Sequence, residues 1–156
     1  MRWSKLRSLI EGRFCPALAG RLAIHSAAYG NCSCGHCWIT LDKEVIANFC
    51  TRAYYNKKSG YFEPGSENSM YGHQLVMYGE MSRQGAYKSM FDYIHTLSLQ
   101  QALDSQDVLV QALSIVDKRL GRRRLEALNI DSLHPLANSL LSIRKAAELG
   151  LMAGAA

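Results

Sequence analysis

Three cysteines and a histidine fall within six residues, in the run Cys32, Ser33, Cys34, Gly35, His36, Cys37. Thiolate and imidazole are the ligand types that hold zinc in a tetrahedral site, and a closed site needs four of them. Only three well-spaced ligands are local, so Cys50 or Cys15 would have to complete the shell. No second pair follows the first, and two pairs are what make a zinc signature strong. The run reads as a loop of small residues with incidental thiols, with a zinc site as the first alternative and redox or regulatory thiols as a weaker one. No cofactor is expected. A cysteine hydrolase would need a base beside its nucleophile, and the spacing of His25, His36, His73, His95 and His134 pairs none of them with a cysteine and an orienting carboxylate. The chain has no HExxH, no glycine-rich phosphate loop and no dinucleotide fingerprint. The expectation is a protein that is not an enzyme.

Charge offers a second kind of chemistry. Lys118, Arg119, Arg122, Arg123 and Arg124 place five cations in seven residues, with Asp117 and Glu126 as the local counterions. Such a cluster can hold phosphate or an acidic surface. It can also cap helix carbonyls and pair with carboxylates, and beside a helix end the macrodipole favours that structural role. A third group, Arg52, Tyr54, Tyr55, Lys57, Lys58, Tyr61 and Phe62, interleaves cations with rings over eleven positions. It could stack bases above a charged groove, or serve as a protein-binding edge rich in the residues that dominate interface energetics.

The elements that must position these groups follow from periodicity. Leu6, Leu9, Ile10 and Arg13 recur at helical spacing over Lys5 to Phe14, behind Ser4 as a cap. Arg21 to Tyr29 alternates, with Leu22 and Ile24 on one side and Ala23 and His25 on the other, as a strand does. His25 there is expected to be a half-buried, hydrogen-bonded structural residue. Trp38 to Leu41 and Val45 to Thr51 read as a hairpin joined across Asp42, Lys43 and Glu44. Ile39 and Leu41 share one face of it; Val45, Ala47 and Phe49 share the buried face of the other strand. Tyr54 and Tyr55 extend that last strand. Residues 56–69, NKKSGYFEPGSENS, carry the Gly, Pro, Ser and Asn of an internal flexible loop.

Helices follow. Met70 to Met81 is read as one despite Gly72 and Gly79, and Tyr87, Met90, Phe91 and Ile94 mark the face of the next, with His95 capping its end. Ser98 caps a short helix through Leu103, and Ser105 starts another. From Val108 to Leu120 only Gln111, Ser114 and Lys118, with Asp107 ahead of them, interrupt the apolar residues. That predicts a helix buried around most of its circumference, with one narrow wet stripe. Gly121 then takes a left-handed conformation that ends it, and a second short helix runs to about Leu128. Pro135 opens a last helix whose buried stripe is Leu136, Leu140, Ile143 and Ala147, before a fraying end, LMAGAA. The sum is an α+β fold: an N-terminal helix, a small antiparallel sheet of about three strands, and a C-terminal helical half packed on the sheet.

Composition sets the frame. The 156 residues are 48% hydrophobic and 20% charged, which suits one soluble domain over 1–156. Net charge is +5 and the pI about 9.0. That balance favours anionic partners without requiring nucleic acid, because the charge is not gathered in a tail. No apolar run approaches the roughly 20 residues that span a bilayer, and the opening MRWSKLRSLIEGRF has no signal-peptide core. A cytoplasmic protein with no membrane partner is expected, its cysteines reduced.

Several separated pieces, in order, carry a resemblance along nearly the whole chain. They are Met1, Trp3, Ser4 and Leu6; Ile24, His25 and Ser26; Trp38, Ile39, Thr40 and Asp42; and the Ala112 to Leu125 run with Asp117, Gly121, Arg123 and Arg124. The chain resembles an uncharacterised family of small bacterial cytoplasmic proteins with a Met-Arg-Trp-Ser-type N-terminus. The resemblance implies a single bacterial domain and brings no established activity with it. The CSCGHC loop departs from that family's pattern, so a metal role would be peculiar to this protein. Two functions stay open. One is a non-catalytic protein-binding protein, such as an inhibitor or immunity-type partner that neutralises a toxin with an acidic surface. The other is a nucleic-acid-binding module that uses the basic and aromatic residues.

Overall fold

The computed structural model describes residues 1–30, 34–61 and 75–150. Helix α1 (Trp3–Glu11) buries Leu6 and Ile10 one turn apart, while Leu9 stays exposed. Arg2, not Ser4, occupies its N-cap, without a side-chain bond. Strands β1 (Leu22–Ala28), β2 (Gly35–Leu41) and β3 (Glu44–Cys50) form an antiparallel sheet in that order. Ile24, Cys37, Ile39, Ala47 and Phe49 share the face that joins the core. Asp42 and Lys43, both at positive φ (49° and 74°), make a two-residue turn, the conformation that matches hairpin twist. Glu44 is already paired with Leu41.

Two expectations fail in this hairpin. The pairing shifts between Ile39↔Ala47 and Thr40↔Val45, leaving Ile46 as the extra residue of a bulge. Val45 therefore lies with Thr40 on the opposite face, not with Ala47 and Phe49. Beyond the strand, Tyr54 and Tyr55 do not extend β3. Pairing runs out at His36↔Cys50, because β2 begins at Gly35. The following backbone must find its own hydrogen bonds and coils into α2 (Thr51–Lys58). Asn56, Lys57 and Lys58 thus belong to a helix, not a loop, and residues 62–69 lie outside the described residues.

Leu75 to Met81 is not helical: Gly79 takes φ +70° and Leu75 N–H donates to Ile46 O. Residues 70–74 lie outside the described residues. Helix α3 (Arg83–His95) is capped by Ser82 and buries Ala86, Ser89, Met90 and Tyr93; Phe91 turns outward against His95. Ser98 caps α4 (Leu99–Leu103) through a reciprocal capping box with Gln101. Asp107, not Ser105, caps α5, accepting from the N–H groups of Leu109 and Val110.

Helix α5 (Val108–Val116) is shorter than its apolar run, and every residue from Leu109 to Val116 is buried. The wet stripe is absent. Gln111 accepts from His134 N–H and donates to Ser105 O, and Ser114 bonds back to Gln111 O. The helix stops because Asp117 is extended and pairs with Phe14, with Cys15 N–H on Val116 O and Lys118 N–H on Arg13 O. Gly121, at φ −68°, is not a left-handed terminator but the N-cap of α6 (Arg122–Glu126), which ends two residues before Leu128. A 3-10 turn (Ile130–Ser132) leads to α7 (Pro135–Glu148), with Pro135 in its first turn. Its buried set is Leu136, Ala137, Leu140, Leu141 and Arg144; Ile143 and Ala147 are only partly buried. One contiguous cluster from Leu6 to Leu141 joins the sheet to the C-terminal helices.

Candidate functional site

The basic run is largely occupied by the fold itself. Asp117, fully buried, accepts from the Tyr93 hydroxyl, from Arg119 N–H (2.8 Å) and from the Arg119 guanidinium at 2.6 to 3.1 Å. Burial alone would raise its carboxyl pKa, but the bonds from Arg119 and Tyr93 outweigh burial and hold it below the usual value. Lys118 donates to Gly12 O at 2.8 Å, Arg122 to Glu126 at 2.9 Å, and Arg124 to Gln100 at 2.7 Å. Arg123 is exposed and forms no side-chain bond among the described residues.

Two cations outside this run do more than it does. Arg13 donates to Tyr93 O and Ile94 O at the end of α3 and lies 5.3 Å from the Tyr93 ring centroid. Arg144, only 3% exposed, donates to Ile115 O, Asp117 O and Leu120 O beyond the end of α5. Ile115 O is a carbonyl that the end of α5 leaves without a backbone partner, whereas Asp117 O also accepts from Leu120 N–H.

The described cysteines do not converge. Cys37 points into the core, where burial pushes its thiol up to about 12. Its neighbours His36 and Cys50 face the other side of the sheet, since alternate residues of a strand face opposite ways. Cys34 is half-buried and Cys15 buried; Cys32 lies outside the described residues. No group of three or more His, Cys, Asp or Glu side chains that could hold a metal ion occurs among the described residues. A histidine–carboxylate pair does exist: His134 Nε2 lies 2.7 Å from Glu80 Oε1. Its Nδ1 accepts from Leu136 N–H and Glu80 Oε2 accepts from Met77 N–H, so the pair fastens the turn before α3 to the start of α7.

Among the described residues two candidate surfaces remain. The first is α2. Thr51 and Ala53 are buried: the Thr51 hydroxyl donates to Gln84, and Arg83 N–H donates to it in turn. Gly79 seats the returning chain on this helix so closely that a Cβ there would meet Ala53 O at 2.6 Å. The anchored helix presents Tyr54 and Tyr55 edge to face at 5.4 Å, Lys58 at 6.0 Å from the Tyr54 centroid, and exposed Arg52. Tyr55 is 58% exposed and Tyr61, just beyond the helix, 60%. These are the residues expected from sequence, carried on a helix instead of a strand and loop.

The second surface is the sheet face away from the core, which the sequence reading missed. Tyr29, His36, Trp38 and His25 form a ladder of rings across β1 and β2, with successive centroids 5.4, 4.3 and 5.1 Å apart. The Tyr29 hydroxyl bonds His36 Nδ1, and Thr40 Oγ1 bonds His25 Nε2 at 2.8 Å, fixing both imidazoles. Burial, with the Arg83 charge nearby, lowers the His36 pKa, so the ring stays neutral at neutral pH. The available signal was the period of two: position 25 on β1 and position 29 just past its end lie on the same side as positions 36 and 38 on β2. Beyond His25 and Trp38 an open groove of about 700 Å³ is lined by Gly20, Arg21, Ala23, Thr40, Val45 and the Asp42–Lys43 turn.

A sequence model described as the SF0329 protein family matches residues 2–145. No curated protein and no solved structure matches the chain.

Proposed function

The chain belongs to the SF0329 protein family, and we propose that it is a non-catalytic protein-binding protein of the bacterial cytoplasm whose contact surface is α2 with Tyr61, three residues beyond it. The observation that carries this reading is the exposure of Tyr55 and Tyr61 beside Arg52 and Lys58 on a helix whose other side is locked to the fold. Exposed rings held by a rigid element lose little freedom on binding, and Tyr and Arg are the residues on which binding energy concentrates. The ionisable groups of the interior are spent on structure. Arg144 and Arg13 close helix ends, Asp117 ties Tyr93 to Arg119, and His134 with Glu80 joins two segments. A basic blocker suits an acidic partner through complementary potential. An inhibitor or immunity-type role toward a toxin needs no more than such a blocking surface, and no cofactor.

The experiment is a pull-down with the wild-type protein as bait, followed by affinity measurement on the captured partner. Tyr55→Ala and Tyr61→Ala, each checked by melting temperature, should each weaken binding by about 2 kcal/mol, roughly 30-fold. Affinity unchanged in both variants rules out α2 as the contact surface.

A further inference from the structure

The ring ladder ends abruptly. Along β1 and β2 the positions after His25 and Trp38 on the same face are Ala23 and Thr40, and the bulge in β3 places Val45 beside them. Small side chains thus stand where another ring would continue the stack, and the groove of about 700 Å³ lies there. Its floor is apolar, and His25 at its edge is held by Thr40.

Charge marks the far end. Arg21 lies there but is clamped by Asp42, with bonds of 2.9 and 2.6 Å. Lys43, at the tip of the turn, is exposed and has no ion pair among the described residues. A flat ring slotted against His25 with an anionic group reaching Lys43 satisfies both features. We infer that this groove takes a nucleotide of a single-stranded nucleic acid, its base filling the place of the missing rung and its phosphate meeting Lys43. The groove is open and holds one unpaired cation, whereas a site for a free mononucleotide encloses most of its ligand. Affinity on an open face comes from repetition along a strand, with stacking and phosphate contacts at successive units. Tyr29, 41% exposed at the other end of the ladder, and the net charge of +5 provide for that repetition. Duplex DNA keeps its bases stacked and paired, and so offers no ring to the slot. This inference uses a face that the α2 reading leaves aside.

The test is fluorescence anisotropy with a labelled oligothymidylate of about ten nucleotides in about 50 mM salt. A parallel measurement follows Trp38 emission in a Trp3→Phe background. The strand should bind and quench Trp38. Ala23→Leu, which fills the slot without touching the core, should weaken binding about 10-fold or more, as should Trp38→Ala. Lys43→Gly keeps the positive-φ turn and should reduce the salt dependence by about one phosphate contact. Tyr55→Ala should leave strand binding unchanged, which separates this site from α2. The inference is overturned by absence of strand binding, by full affinity in folded Ala23→Leu, by equal affinity for the duplex, or by thymidine monophosphate binding as tightly as the strand.

Discussion

Replacing Arg144 by methionine keeps the apolar length of the side chain and removes its guanidinium. In the native protein this group donates at 2.7 Å to Ile115 O, 2.9 Å to Asp117 O, 2.7 Å to Leu120 O and 2.7 Å to Glu148 Oε1. Each carbonyl left buried and unpaired costs about 1 to 3 kcal/mol. Asp117 O keeps a bond from Leu120 N–H at 3.0 Å, so the other two set an upper bound of about 6 kcal/mol, which water entry and the relief of guanidinium desolvation reduce to about 3 to 4 kcal/mol. That is a large part of the roughly 5 to 15 kcal/mol that holds a domain folded, and the melting temperature should fall by about 10 °C. Arg144→Lys presents three donors from one centre and should recover about half of the loss. Glu148→Gln touches only the half-exposed end of the network and should cost less than about 1 kcal/mol. As a surface control, Arg123→Ala should change stability by less than about 0.5 kcal/mol. Urea unfolding followed by Trp fluorescence and far-UV circular dichroism gives all four values. A loss below about 1 kcal/mol for Arg144→Met, at unchanged urea dependence, would show that the carbonyls do not depend on this side chain.

Asp117 should dominate the acid limb of stability. Its folded pKa is depressed, so its contribution is present above the unfolded value of about 4 and is lost as pH falls through the folded value. In Asp117→Asn the pH dependence of stability below about pH 4 should flatten, and an unchanged slope would count against the network with Tyr93 and Arg119. For the cysteine run, a strong chelator should leave the melting temperature unchanged, and Cys37→Ala should cost roughly 1 kcal/mol as a small core truncation. Stoichiometric zinc in the purified protein, with unfolding on its removal, would contradict that expectation.

What the sequence made legible was whatever repeats locally. Leu6 and Ile10, the alternation through Leu22 and Ile24, the Ser98 cap and Pro135 at the start of α7 all stand where period and propensity place them. What it hid depends on partners distant in the chain. Gln111 looks like part of a wet stripe until His134 N–H satisfies it. The run from Val108 to Leu120 looks like one helix until Phe14 pairs with Asp117 and stops it. Arg144 sits on the buried side of α7 because the carbonyls it serves belong to residues 24 to 29 positions earlier. Tyr54 and Tyr55 follow a strand and would have continued it had β2 begun earlier.

The candidate sites divide along the same line. The α2 residues were legible as a set, because composition alone gathers Arg52, Tyr54, Tyr55, Lys58 and Tyr61 into ten positions, whatever structure carries them. The ring ladder was not, because His25, Tyr29, His36 and Trp38 become neighbours only through the register of β1 against β2. The groove beside it needed a further step. With unbroken alternation Val45 would share the core face with Ala47 and Phe49, and the insertion of Ile46 moves it beside Thr40. One residue of bulge thus takes an apolar side chain from the core and gives the open face the floor on which a ring can rest. Bulges re-aim side chains in this way at sheet edges beside binding sites. Here the re-aimed residue lies within reach of Lys43, at the tip of the hairpin that the bulge also bends.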